Sequence, residues 1–212
     1  MALLKKMCRS RALPLAIGAA VCAAAWSGEA AAETLQERLQ VCGSCHGEAG
    51  SSKMENVPSL AGQPALFLTN QLILMREKLR PVEAMEPFVK GLKDDEIVAL
   101  AEHYAKLKPE RGPERGPERG PEPSREAVDQ ETVARGATLV EQMRCVSCHK
   151  AGFEGQEQMP RLVPQRVDYL IKSLTEYREG KRYGIDTTMN GVMYRVPDRD
   201  IRALAHYLGS LR

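Results

Sequence analysis

Apolar residues recur at helical spacing in two places of each half of the chain. In the first half Phe67, Leu72, Met75 and Leu79 mark one helix, and Ile97, Leu100 and Ala101 mark a second. In the other half Val167, Leu170, Leu174 and Tyr177 play the first part, and Ile201, Leu204 and Ala205 the second. Pro81 and Gly180 are placed to end the middle helices. Shorter helical patterns, "TLQERLQVC" and "ETVARGATLVEQMRC", open each half and close on a cysteine. No stretch sustains period-two alternation, so the pattern predicts an all-α protein made of one unit written twice.

Punctuation divides the chain further. Residues 109–124, "PERGPERGPERGPEPS", have no apolar side chain to bury and a proline at every fourth position, which predicts a linker. The first unit then spans residues 33–108 and the second 125–212. Residues 1–32 combine a basic start (Lys5, Lys6, Arg9, Arg11), the apolar run "ALPLAIGAAVCAAAW" and small residues before Glu33. That is the form of a signal peptide cleaved after Ala32, and it predicts a periplasmic protein exported by the general secretory route. The run is too short to span a bilayer comfortably.

Removing the leader sharpens the composition. Four cysteines of six remain, and tryptophan disappears with Trp26, leaving three phenylalanines for two units. Small domains so poor in large apolar side chains need a staple, and a large apolar cofactor is one. The net charge after cleavage is −1, and the linker's four Glu outnumber its three Arg, which argues against a nucleic-acid-binding arm. Residues 33–108 carry net −2 and residues 125–212 net +2, an asymmetry that would orient the molecule before docking.

All four remaining cysteines lie in "CGSCH" and "CVSCH": Cys42, Cys45 and His46, then Cys145, Cys148 and His149. A shared zinc site would need ligands from repeats a whole domain apart. A thioredoxin-like pair needs a strand–helix context that is missing, and structural disulfides leave both histidines unexplained. Covalent haem c attachment uses every residue: two thiols on one turn bond the vinyl groups, and the next histidine is swung under the ring toward iron. Two such motifs predict two covalently bound haem c groups.

A sixth ligand comes from farther along, and methionine opposite histidine is the usual electron-transfer pair. Met85 lies 12 residues before Ile97, and Met189 lies 12 before Ile201. Met193, the nearest rival, matches Val89 instead, while Met75 falls on the apolar stripe and Met54 in a polar loop. Met85 and Met189 are therefore the expected ligands, with His46 and His149. His103 and His206 do not coincide across the repeat and are expected to be packing or surface residues. Pro58 and Pro160 are expected to offer a carbonyl to each haem histidine.

These features, with "AGQPALFLTNQL", "AMEPFVKGLKDDEI", "YREGKRYG" and "RDIRALAHYLGSL", resemble the dihaem cytochrome c4 family, two tandem class I cytochrome c domains. The resemblance covers nearly all of the chain after the leader. It implies a periplasmic electron carrier, often loosely held at the inner membrane, from quinol–cytochrome c reductase toward a terminal oxidase. An alternative of the same architecture is the electron-accepting subunit of a dehydrogenase such as flavocytochrome c sulfide dehydrogenase. No substrate chemistry is expected, because both irons would have full ligand shells; a dihaem peroxidase needs an open or releasable position. The family's domains pack with haem edges together, an arrangement that the long linker calls into question. Lys93 and Pro197 stand where a helix-starting serine is common, leaving Asp94 and Asp198 as the expected caps.

Overall fold

A computed structural model describes residues 34–110 and 130–211. The signal-peptide assignment and nearly all of the linker lie outside the described residues. Within them the first unit holds α1 (Leu35–His46), α2 (Ala65–Arg76), a 3-10 turn (Glu83–Met85), α3 (Glu86–Val89) and α4 (Asp94–Lys106). The second holds α5 (Gln130–Gln142), α6 (Val146–His149), α7 (Val167–Arg178), α8 (Thr188–Met193) and α9 (Asp198–Ser210). No strand occurs among the described residues beyond one isolated bridge between Gln156 and Met159, so the all-α expectation holds.

The openings of the two units differ. Thr34 caps α1: its hydroxyl accepts from the Glu37 amide at 3.3 Å, and Glu37 accepts from the Thr34 amide at 2.8 Å. α1 then runs on through the whole Cys42–His46 motif rather than stopping at its first cysteine. α5 stops at Gln142, Arg144 takes a left-handed φ of 54°, and α6 restarts across the second motif.

α2 and α7 align residue for residue with an offset of 102, so Phe67 matches Tyr169 and Met75 matches Tyr177. The sequence pairing of Phe67, Leu72, Met75 and Leu79 with their counterparts was therefore out of register. α2 also ends at Arg76, well before Pro81, because Lys78 adopts φ 59° where Gly180 adopts 65° after α7. That left-handed residue stops each helix, and Leu79 consequently lies exposed instead of on the apolar stripe.

The last helices begin one residue earlier than the acidic pairs suggested. Lys93 and Pro197 are the capping residues, and Asp94 and Asp198 are the first residues inside α4 and α9. Their carboxylates instead take Arg76 and Arg178, equivalent arginines at the ends of α2 and α7. Each arginine also donates to a loop carbonyl, Leu92 O at 2.8 Å or Val196 O at 3.1 Å. One side chain thus ties the end of the middle helix to the start of the last.

The apolar faces meet as expected. Ile97, Leu100 and Val89 form one buried cluster of the first unit, and Ile201, Leu204, Leu170 and Val140 belong to that of the second. In the second unit α5 crosses α9 at Gly136, where an added Cβ would lie 2.1 Å from Ala203 O. The close approach is possible only because the residue is glycine.

The units dock. Gln63 Nε2 donates to Arg161 O at 2.9 Å, and Arg161 N donates to Gln63 Oε1 at 3.0 Å. Gln165 and Ser59 repeat the pair at 3.0 and 2.9 Å. Because Ser59 and Gln63 correspond to Arg161 and Gln165 by the same offset of 102, the interface is a pseudo-twofold one. Asn56 N to Asp168 Oδ2 (3.0 Å) and Phe67 N to Glu157 O (3.0 Å) flank it. The domains therefore pack together despite the long linker.

Candidate haem sites and the domain interface

Each histidine of the two motifs is buried and held from one side. His46 Nδ1 lies 2.9 Å from Pro58 O, and His149 Nδ1 lies 2.8 Å from Pro160 O. A carbonyl can only accept, so Nδ1 carries the proton and the Nε2 lone pair is left for a ligand. Burial pushes both imidazoles below their usual pKa, with the carbonyl bonds opposing it, which favours the neutral form that iron ligation requires. The proline carbonyls expected from the sequence are in place.

Cys42, Cys45, Cys145 and Cys148 are all half-buried, and no disulfide joins any of them. In both motifs the serine between the cysteines donates to the backbone, Ser44 Oγ to Val41 O and Ser147 Oγ to Arg144 O, each at 2.7 Å. The turn that presents the thiols is thereby fixed.

Met85 and Met189 occupy comparable places, half-buried and packed against the cores of their own units. Met193 is 1% exposed and its counterpart Val89 2%, which makes Met193 a core residue. Met54 is exposed and Met75 packs on the core. Asn190, beside Met189 in α8, anchors this helix by donating to Tyr177 O at 2.8 Å and Arg182 O at 2.9 Å. His103 and His206 are half-buried on their helices, and His103 stands edge-on to Tyr104 at 5.4 Å.

The interface also holds charge that the sequence reading passed over. Arg80 and Arg182, equivalent across the repeat, are both buried. Arg80 donates to Gln71 Oε1 at 2.7 Å; Arg182 donates to Ser173 Oγ at 2.9 Å and Tyr169 Oη at 3.0 Å. Arg182 Nε is buried with no hydrogen-bond partner. Burial, and then the like charge of Arg182, depress the Arg80 pKa. Burial resists ionisation of Tyr169, but Arg182 and Arg80 together outweigh it and pull the phenol down to about 7. Arg182 already has Glu176 Oε2 at 3.8 Å, but two buried guanidiniums that repel each other still call for a further anion. The two carboxylates that a haem carries meet that demand, so the residues present fit the group.

Known proteins agree with this geometry. The family model "Cytochrome c" matches residues 133–212, and "Cytochrome C oxidase, cbb3-type, subunit III" matches residues 28–103. Two tandem cytochrome c domains define a dihaem c-type cytochrome. Cytochrome c4 of Azotobacter vinelandii is 31% identical over 87% of this chain and 90% of its own. The structure of reduced recombinant cytochrome c4 from Pseudomonas stutzeri superposes with a TM-score of 0.72 at 27% identity, covering 84% of this chain and 97% of that one. A thiosulfate dehydrogenase electron acceptor of Thiomonas intermedia is 29% identical over 87% of this chain and 85% of its own. The chain belongs to the cytochrome c4 family of dihaem electron-transfer proteins. It carries two covalently bound haem c groups, one at the Cys42–Cys45 motif and one at the Cys145–Cys148 motif.

Proposed function

We propose that the chain is a periplasmic carrier that takes electrons from quinol–cytochrome c reductase and passes them toward a terminal oxidase. In this reading Cys42 and Cys45, with His46 and Met85 as axial ligands, hold the first haem. Cys145 and Cys148, with His149 and Met189, hold the second. Residues 1–32 are the cleaved leader, 33–108 and 125–212 the two domains, and 109–124 their tether.

The observation that carries the reading is the duplicated ligand geometry: two histidines, each with Nδ1–H committed to a proline carbonyl. The haem iron supplies one-electron chemistry when bound. The chain fixes the imidazole tautomer and offers thioethers from the 3-10 turn at Met85 and from α8 at Met189, packed against the clusters around Ile97 and Ile201. A thioether opposite the imidazole favours ferrous iron and suits a carrier of raised potential. His46 with Met85, and His149 with Met189, would complete the ligand set of each iron and leave no place for peroxide or oxygen, so the protein would act as a carrier without a substrate of its own. No helix among the described residues is long and apolar enough to cross a membrane.

A second reading has a specific observation behind it. The relative from Thiomonas intermedia is a thiosulfate dehydrogenase electron acceptor, so a periplasmic dehydrogenase is an alternative donor. The two are separated by rapid mixing of the oxidised protein with quinol-reduced reductase, and separately with substrate-reduced thiosulfate dehydrogenase. Reduction within a turnover of the reductase supports the first reading. Fast reduction by the dehydrogenase alone supports the second.

A further inference from the structure

The peptide groups that hold the two haem histidines are the same ones that join the domains. The Pro58–Ser59 peptide accepts from His46 Nδ1 at its carbonyl, 2.9 Å away, and its N–H donates to Gln165 Oε1 at 2.9 Å. The Pro160–Arg161 peptide accepts from His149 Nδ1 at 2.8 Å, and its N–H donates to Gln63 Oε1 at 3.0 Å. Each haem histidine is therefore one peptide unit from a glutamine of the other domain. Neither glutamine is free to drift, because its amide nitrogen donates to the carbonyl of the same residue, Ser59 O or Arg161 O.

We infer that Gln165 and Gln63 are crossed positioning residues: each sets the redox potential of the haem in the opposite domain through a single peptide group. This rests on His46 and His149 being axial ligands. An amide whose N–H is engaged by an acceptor becomes more negative at its carbonyl, since consecutive hydrogen bonds polarise one another. The carbonyl then draws harder on the imidazole Nδ1–H, which makes the ring a stronger donor at Nε2. A stronger imidazole donor favours ferric iron, so each glutamine lowers the potential across the interface. Neither side chain touches the ring or the iron. Docking of the domains and tuning of the haems are consequently one event, and parting the domains would release both peptides at once.

The two ends of the relay are not equal. Ser59 has a small hydroxyl side chain, which accepts from Ser52 N at 3.1 Å. Arg161 instead carries a guanidinium that reaches across to Gly62 O and also donates to Val163 O, each at 3.0 Å. A fixed positive charge at this seam favours ferrous iron in whichever haem lies nearer, and Ser59 offers no counterpart. The same device thus separates the two haems by what flanks it.

The test is made on the haem-loaded full chain, with Gln165→Leu, Gln165→Glu and Gln63→Leu. Each haem is followed by its own methyl resonances in a redox titration, and each histidine by its Nδ1–H resonance in the reduced protein. Gln165→Leu should raise the first haem's potential alone, changing its reduced-to-oxidised ratio about threefold at fixed potential, or roughly 30 mV for one electron. The His46 Nδ1–H resonance should move upfield and that of His149 should stay. Gln165→Glu, a stronger acceptor, should lower the first haem's potential relative to the second. Gln63→Leu should do to the second haem and His149 what Gln165→Leu does to the first. Equal shifts of both haems, or a shift confined to the mutated domain's own haem, overturn the relay. The ligation reading is tested apart from this, by the low-spin spectrum of the unaltered protein.

Discussion

Gln63 and Arg161, 98 residues apart, exchange two hydrogen bonds between a side-chain amide and a backbone amide, and Gln165 and Ser59 repeat them on the other side of the pseudo-twofold axis. Docking takes these backbone groups out of water, and one left without its glutamine inside the interface would cost about 1–3 kcal/mol. Because these bonds lie within the folded domains, association independent of the tether is expected.

A single proteolytic cut within residues 109–124 tests this independence. The nicked halves are expected to stay together on a sizing column at moderate salt, with inter-haem transfer unchanged on dilution, because the tether adds only local concentration. Two separately migrating haem proteins would show that the interface is too weak to act alone.

Met85→His and Met189→His are each expected to lower the potential of one haem and remove part of the sulfur-to-iron band of the oxidised protein. The same change at Met193, a core residue 1% exposed, should destabilise the fold and leave that band intact. A band lost at Met193→His and kept at Met189→His would reassign the second domain's ligand.

Gly136→Ala forces a Cβ to within 2.1 Å of Ala203 O and 2.6 Å of Tyr207 Cβ. Backbone cannot swing aside as a flexible side chain can, so α5 and α9 must part. The expected loss is about 1–3 kcal/mol, read from denaturant unfolding of the haem-loaded protein. Retained stability would mean that the crossing can slide.

Lys78→Gly should act the other way. Lys78 sits at φ 59°, where Gly180 sits in the second unit, and a Cβ is strained there. Relief is expected to stabilise the first domain by roughly 0.5–1 kcal/mol, and a thermal melt of the variant checks it. The exposed Lys78–Glu86 ion pair at 3.1 Å is lost with it and offsets little.

Cys145→Ala should weaken or prevent haem attachment in the second domain while sparing the first. Denaturing mass spectrometry of protein from a haem-maturing host reads this as the loss of one haem from two. Apo-protein with two disulfides in the unaltered chain would refute covalent attachment altogether.

The helices and the haem motifs were legible because their signals are local. Cys-x-x-Cys-His fixes three ligating groups on one turn, and the last helices announce themselves through Ile97, Leu100, Ile201 and Leu204. Helix ends were less legible. Lys78 stops α2 by a backbone angle that no lysine advertises, and Asp94 and Asp198 look like caps but serve Arg76 and Arg178. The interface was hidden for a different reason. Gln63 and Gln165, or Arg80 and Arg182, are ordinary polar residues until the other domain arrives, and only their matching places in the repeat mark them. The shared run Pro-x-Leu-x-x-Gln, Pro58 to Gln63 and Pro160 to Gln165, was the available signal. Its proline was read and its glutamine was not.

The most direct measurement of the central claim is a reductive titration of the purified protein, followed in the visible spectrum. Two one-electron steps that together account for all the haem, with both haems low-spin throughout and the sulfur-to-iron band present when oxidised, are the predicted result. A high-spin fraction, or a haem that binds peroxide or carbon monoxide without loss of structure, would contradict it and make the protein something other than a closed-shell electron carrier.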